Sequence, residues 1–371
     1  MMKSSYIEKL LKGAKVEWKR LGEIVKIKNG KDWKRLNVGN IPVYGSGGVM
    51  AYVDKFTYDK PTVLIPRKGS ITNIFYVETP IWNVDTIYYT EIDINKLIPK
   101  FFYYYMKTVD LMKLDTGSGR PSLTKAILNE IQIPIPPLPV QQEIVRILDT
   151  FTELTAELTA ELTARKKQYE YYRDKLLTPI EDNGKWFLNG KEVEWKKLGE
   201  VADLKRGRVI SKRYLEDNVG EYPVYSSQTV NNGEIGKINT FDFNGEFITW
   251  TTDGANAGTV FYRKGKFSIT NVSGLIKIIN TQKLNYKYLF YWLSIEAKKH
   301  VYSGMGNPKL MSNQVAKIPI PIPPLPVQQE IVRILDTFTE LTAELTAELT
   351  ARKKQYEYYR DLLLSFPKEE D

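Results

Sequence analysis

The chain of 371 residues is 42% hydrophobic and 26% charged, the balance of a folded, soluble protein long enough for two or three domains. It contains no cysteine, which excludes disulfides and thiolate metal sites and fits a cytoplasmic location. Residues 1–14 show no apolar leader, and no run approaches the roughly eighteen apolar residues of a membrane span, so neither a secreted nor a membrane protein is expected.

Taken in order, the chain opens on a strand-rich block. Short β-branched and aromatic stretches at Thr62–Pro66, Ile74–Val77 and Thr86–Glu91 lie between Gly, Asn and Asp turns. A helix is expected over Lys96–Met112, while Thr124–Glu130 is too short to assign. The prolines of residues 133–139 then forbid a helix, and from Pro139 to Pro179 there is neither Pro nor Gly in a run of good helix formers. Apolar residues Ile144, Leu148, Phe151, Leu158, Leu162, Tyr169, Tyr172 and Leu176 fall three and four apart, a heptad seam interrupted only at Thr155 and Arg165. At 1.5 Å rise, about 37 residues make a rod of roughly 55 Å, and one apolar seam of that length requires a partner helix.

The partner is in the same chain. Residues 133–174 recur letter for letter as residues 320–361, 42 identical residues. The second seam is Ile331, Leu335, Phe338, Leu345, Leu349, Tyr356 and Tyr359, and because a globular block returns the chain between the copies, antiparallel pairing is the simplest arrangement. That intervening block is a diverged relative of the first. Val16–Glu23 returns as Val193–Glu200, Ile41–Tyr44 as Tyr222–Tyr225, Lys96-Leu97 with its aromatic run as Lys283-Leu284, and Gly117–Leu123 as Gly304–Leu310. Strands are expected at Phe247–Thr251, Thr259–Tyr262 and Leu275–Ile279, and a helix over Leu284–Lys299, with Met311–Ala316 again too short.

Formal charge is +9, yet each helical copy from residue 136 to 174 holds seven acidic residues against five basic ones. Setting aside the −2 of each copy leaves +13 on the remainder, so positive charge concentrates in the blocks. A phosphate backbone is the usual partner of such a surface, although a merely basic soluble protein has the same balance. Two identical helices suit two copies of one partner protein, whereas two similar, non-identical basic blocks suit two different short targets held a fixed distance apart. A duplication without functional demand would also leave identical copies.

Candidate contact loops are rich in donors, glycine and small polar residues. In the first block they are Lys31–Arg35, Tyr44–Gly48, Arg67–Asn73 and Gly117–Ser122, and in the second Arg206–Arg213, Tyr225–Thr229, Thr251–Asn256 and Gly304–Lys309. The side chains singled out are Lys31, Trp33, Lys34, Arg35, Tyr44, Ser46, Arg67, Lys68, Ser70, Thr72, Asn73, Ser118, Arg120 and Ser122. Their second-block counterparts are Arg206, Arg208, Lys212, Arg213, Tyr225, Ser227, Gln228, Thr251, Thr252, Asn256, Asn307 and Lys309. Arginine reaches guanine bidentately, Asn and Gln reach adenine, and Lys, Ser and amides hold phosphates. Each alone reads equally as a solvated turn. Trp18 and Trp195, in matching apolar contexts, read as core.

Catalytic constellations are missing from the sequence. His300 is the only histidine, there is no G-x-x-x-x-G-K-[S/T] loop and no N-P-P-aromatic motif; Glu17-x-Lys19 and Glu194-x-Lys196 have the spacing of a nuclease E-x-K pair, but the first has no Asp upstream, so a metal site there would need an acid from elsewhere.

The order of block, I-P-I-P-P-L-P-x-Q-Q-E-I-V-x-I-L-D and long helix, twice over, resembles the specificity subunits of type I restriction–modification systems. The opening W-K-x-L-G-E, the P-V-Y segment, G-x-G-x-P-x-L and the tandem T-A-E-L units support it over essentially the whole chain. The resemblance implies an α+β chain with two similar strand-rich target-recognition domains separated by two long antiparallel coiled-coil helices in a pseudo-two-fold. The expected boundaries are 1–135, 136–178, 179–322 and 323–366. It further implies a non-catalytic chain that reads a bipartite double-stranded DNA target. Two methylation subunits would dock on the helices, and motor–nuclease subunits would join through the complex. No cofactor is expected on this chain; S-adenosylmethionine, ATP and Mg²⁺ would sit on the partners. The alternatives are a self-contained nuclease or methyltransferase with diverged motifs, or a coiled-coil scaffold binding protein only. Each T-A-E-L unit adds about 6 Å of rise, which makes the helices candidate rulers.

Overall fold

The computed structural model describes residues 9–117, 119–304 and 306–366. Their contacts divide them into two compact units, one running to Ala160 and resuming at Thr346, the other comprising Glu161–Leu345. Each unit therefore holds one block with parts of both long helices.

In the first unit, β1 (Glu17–Arg20) pairs antiparallel with β9 (Gln132–Ile135), so the start of the block is tied to the residues that lead into the helix. Between them, β2 (Val25–Asn29), β8 (Ile87–Ile92), β5 (Thr62–Pro66) and β6 (Phe75–Val77) form an antiparallel sheet in that order. A second sheet has β3 (Val38–Gly45) between β4 (Gly48–Val53) and β7 (Trp82–Asn83), the β3–β7 pair being parallel. Every residue of β5 is buried, as a central strand covered on both faces requires. Its one hydroxyl, Thr62, is satisfied by the Thr90 carbonyl at 2.8 Å.

Helix α1 is Pro99–Met106, shorter than the expected Lys96–Met112. Pro99 fits the first turn, where its missing N–H costs nothing; Lys96 and Leu97 instead close a turn on the Asp93 carbonyl. Leu111–Leu114 forms a separate 3-10 turn. The first long helix, α2 (Leu138–Leu177), starts with Pro139 in its first turn.

The second unit repeats the plan. A small sheet of β10 (Ile180–Asp182), β11 (Lys185–Leu188) and β12 (Lys191–Glu192) precedes the closing pair β13 (Glu194–Lys197) and β20 (Pro319–Ile322). Here β14 (Ala202–Arg206), β15 (Val219–Tyr225), β16 (Glu234–Ile238), β17 (Phe243–Thr251), β18 (Val260–Ile269) and β19 (Ser273–Ile278) join into one sheet. Its order is β14-β19-β17-β18-β15-β16. The longer β17 and β18 fuse what are two sheets in the first block, and the parallel β15–β18 pair takes the place of β3–β7. Helix α3 runs Tyr286–Glu296, inside the expected Leu284–Lys299, because the Asn285 side chain caps it from outside and Ala297–His300 tightens to a 3-10 turn.

The second long helix is α4 (Leu325–Leu363). Within the first unit the beginning of α2 lies with the end of α4. Ile144 and Leu148 share a core with Leu363, Leu364 and Phe366, and Phe151 stacks on Tyr359 at 5.2 Å. Within the second unit the end of α2 lies with the beginning of α4. Leu177 shares a core with Ile331 and Leu335, Tyr169 packs against it, and Tyr172 stacks on Phe338 at 5.3 Å. The helices are thus antiparallel, and each block's core is completed by the far end of the other block's helix. Leu158, Leu162, Leu345 and Leu349 are buried, and Tyr356 packs on the first core. Thr155 and Arg165 stay half-buried on the same stripe, Arg165 turning its guanidinium to Gln168 at 3.1 Å.

Identical sequence makes identical joints. Gln141 is fully buried; its amide donates to the Lys96 and Pro136 carbonyls at 2.9 and 2.8 Å, and its Oε1 accepts from Ile98 N–H at 2.8 Å. Gln328 does the same with Lys283, Pro323 and Asn285. Asp149 accepts from the Tyr104 hydroxyl at 2.6 Å and pairs with Lys100, and Asp336 accepts from Tyr291 at 2.6 Å and pairs with Lys287. Trp18 and Trp195 are both partly buried against the cores, as expected of packing residues.

Candidate nucleic-acid interface

The backbone brings the four candidate loops of each block together. In the first block Gly30 sits against the Asn83 and Val84 carbonyls, where a Cβ would lie 2.3 and 2.0 Å away, so only glycine lets the 31–35 loop leave at this point. Lys31 N–H then bonds the Asn83 carbonyl, and the Trp82 indole donates to the Lys31 carbonyl at 3.1 Å. Val84 N–H reaches Tyr44, tying in the second loop. The Asn73 amide donates to the Ser46 carbonyl at 3.2 Å, joining the second loop to the third. Gly69 N–H to the Pro121 carbonyl and Leu123 N–H to the Arg67 carbonyl join the third to the fourth.

The second block repeats the glycine contact and the bonds that link the second, third and fourth loops. Gly207 faces the Ile269 and Thr270 carbonyls, and Thr270 N–H reaches Tyr225. The Asn256 amide donates to the Ser227 carbonyl at 3.3 Å. Gly254 N–H bonds Pro308 and Leu310 N–H bonds Thr252. Arg67-Lys68 and Thr252-Asp253 are therefore equivalent positions with different side chains.

Within this common frame the individual residues differ in availability. Lys31, Lys34, Arg35, Lys68, Ser70, Thr72, Asn73 and Arg120 are exposed, and Arg67 and Ser46 half-buried. Trp33 packs against the Val43, Val53 and Val84 cluster, and Tyr44 lies on Phe75 at 5.8 Å, where burial raises its hydroxyl pKa. Ser118 lies outside the described residues. Asp115, which the sequence reading passed over, shapes the fourth loop: its Oδ1 accepts from Ser122 N–H at 2.7 Å and Gly117 N–H at 2.8 Å. Those two amides hold its carboxyl below the usual carboxylate range.

In the second block Lys212, Asn307 and Lys309 are exposed, and Arg213 is exposed beside Asp217 at 3.5 Å. Other candidates are engaged internally. Arg206 donates to the Asn271 carbonyl at 2.7 Å and lies 3.5 Å from Asp253, and Arg208 is held by Asp242 at 3.0 Å. Gln228 donates to the Glu234 carbonyl. Thr251 and Thr252 are buried, and the Thr251 hydroxyl bonds the Asn256 carbonyl; both shape the loop from beneath rather than face out of it. Their hydroxyls in a T-T-D-G turn give no sign of this, because Thr251 is the last residue of β17, paired with Ser273 of β19, and Thr252 N–H is tied to the Val272 carbonyl. The Glu-x-Lys pairs close on themselves as exposed ion pairs, Glu17–Lys19 and Glu194–Lys196, each at 2.7 Å. Among the described residues no helix is long and apolar enough to cross a membrane.

Comparison with known proteins converges on one family. The model for the type I restriction modification DNA specificity domain matches residues 14–165 and again 190–352. A putative type I restriction enzyme specificity subunit of Haemophilus influenzae is 35% identical over 395 residues, covering 98% of each chain. A putative type I specificity subunit of Mycoplasma pneumoniae is 44% identical over 245 residues, 65% of this chain and 96% of its own. Among solved structures, a type I restriction–modification S subunit from M. genitalium shares the fold at TM-score 0.73 and 16% identity, covering 96% of this chain and 98% of its own. The chain belongs to the type I restriction–modification specificity subunits, with two copies of the family's DNA specificity domain, one in each block.

Proposed function

We propose that this chain reads a bipartite double-stranded DNA target, one half-site with each block, and performs no catalysis itself. The observation that carries the reading is a contrast. The loops are tied together by matching hydrogen bonds and glycine contacts in both blocks but present different side chains, whereas the glutamine joints to the long helices recur position for position. Different loop tips on one frame suit two different short sequences, and the exposed Lys and Arg among them suit phosphates. The duplicated helices suit two copies of one partner, here the methylation subunit, with motor–nuclease subunits joining the assembly and S-adenosylmethionine, ATP and Mg²⁺ bound on those partners.

The test is a map of N6-methyladenine in cells carrying this gene and the partner methylation gene, against a matched strain lacking only this gene. A motif of two short halves and a fixed gap that appears only with the gene supports the reading. Identical maps beside a functional methylation subunit would overturn it.

A further inference from the structure

Beneath the second block's Tyr225–Thr229 loop lies a buried charged side chain that makes no salt bridge among the described residues, Glu234 being the carboxylate that acts on it through space. Arg263, in β18, is 3% exposed. Its guanidinium sits 3.6 Å from the centroid of the Tyr225 ring and 4.5 Å from that of Phe261. Nη2 donates to the Asn232 carbonyl at 2.7 Å and Nε to the Thr249 hydroxyl at 3.3 Å, while Nη1 is buried without a hydrogen-bond partner. Burial pushes its pKa down to about 10, so it remains a cation at neutral pH.

The first block shows what the fold requires here. Counting back from the equivalent carbonyls of Arg67 and Thr252, Thr62 corresponds to Phe247 and Leu64 to Thr249. Val77 pairs with Thr62 and Arg263 with Phe247, so Val77 and Arg263 occupy the same register position. In the first block Val77, Leu64, Ile81 and Ile87 form a small apolar core with Tyr44 packed on it. The frame is thus satisfied by valine, and a buried cation without a salt bridge is a costly replacement that packing does not explain. Above it the chain is strained: Asn231, Asn232 and Gly233 are all left-handed, at φ of 51°, 53° and 81°, and Arg263 holds the middle one by its carbonyl.

We infer that Arg263 is a specificity-positioning residue of the second block, fixing Tyr225 and the 226–233 loop in the form that reads its half-site. The inference rests on the reading of the two blocks as DNA-recognition domains. The cation contributes in two ways. It anchors the strained turn, and its charge, in a low-dielectric layer and offset only through space by Glu234, raises the positive potential at the loop above, where phosphate or guanine acceptors would lie.

The test compares R263M and R263K in the complete complex, by N6-methyladenine mapping and by thermal unfolding of the purified complex. With R263M, methylation of wild-type sites should fall roughly tenfold or more relative to sites altered in the second half only, while the first half is read as before. Lysine, which keeps the charge, should restore part of that discrimination. A merely structural residue predicts the reverse order: methionine, apolar like Val77, keeps the motif, and lysine is no better. R263M with wild-type discrimination overturns the inference. If R263M lowers the melting temperature, the decision passes to F261L, which removes one ring from the guanidinium without changing charge; unaltered second-half discrimination there also overturns it. Absence of any gene-dependent motif in the wild type is a failure of the underlying reading instead.

Discussion

Replacing Gln141 by leucine isolates what joins block to helix. Leucine is close in size but accepts and donates nothing. It strands the Ile98 N–H and the Lys96 and Pro136 carbonyls, of which the Pro136 bond is wholly buried and the other two partly so. At about 1–2 kcal/mol for each of the three groups left unpaired, the loss is roughly 3–6 kcal/mol, a large share of the about 5–15 kcal/mol typical of a domain. Gln328 makes the same three bonds at 2.8–2.9 Å, so Q328L should cost the same within about 1 kcal/mol. Urea unfolding followed by hydrogen-exchange mass spectrometry gives both the cost and its location. The Q141L chain should lose protection around Ile98 and the start of α2, and Q328L around Asn285 and the start of α4. A cost below about 1 kcal/mol in both variants, or a large cost in only one, would refute the claim that the repeats form equivalent, buried polar joints.

Further outcomes are expected. Y104F and Y291F each remove a 2.6 Å bond to a carboxylate, and a double-mutant cycle of Y104F with D149N should show coupling of about 1–2 kcal/mol. Asp115 has a depressed folded pKa, so its hold on the fourth loop is complete above the ordinary Asp value of about 3.9 and is lost as pH falls through the lower folded value. The Ser122 amide, followed by NMR, should therefore titrate below about pH 4, and a flat response in D115N identifies the group. Deleting Thr155–Leu158 together with Thr342–Leu345 removes about 6 Å of rise and should change the gap between half-sites by one or two base pairs, roughly 3.4 Å each; an unchanged gap in the methylated motif defeats the ruler idea.

The long helices were legible because the signal is redundant: a proline-bounded run, a heptad and a letter-perfect repeat all give the same answer. Strand β5 was read to the residue, since Thr62–Pro66 joins β-branched and apolar residues and is flanked by turn formers. Helix lengths were overread beyond the aromatic runs, at Lys107–Met112 and Ala297–Lys299, because propensity does not register the switch to a 3-10 turn. The candidate loops could be listed from composition, but their convergence could not, since it depends on hydrogen bonds such as that from the Asn73 amide to the Ser46 carbonyl, between residues far apart in sequence. Arg263 was invisible for a plain reason. In F-Y-R-K-G-K it looks like one more exposed base on a hairpin, and only the pairing of β17 with β18 turns it inward. A mismatch between Val77 and Arg263 in a correct alignment of the two blocks was the one available hint.

The most direct measurement of the central claim is the methylation motif after exchanging one block. Residues 14–135 are replaced by the corresponding block of a relative with a different target, leaving both helical repeats intact, and N6-methyladenine is mapped in cells supplying the methylation subunit. The account predicts that one half of the motif changes to the donor's while the other half and the gap stay as they were. A motif altered in both halves, or in neither, contradicts the assignment of one half-site to each block.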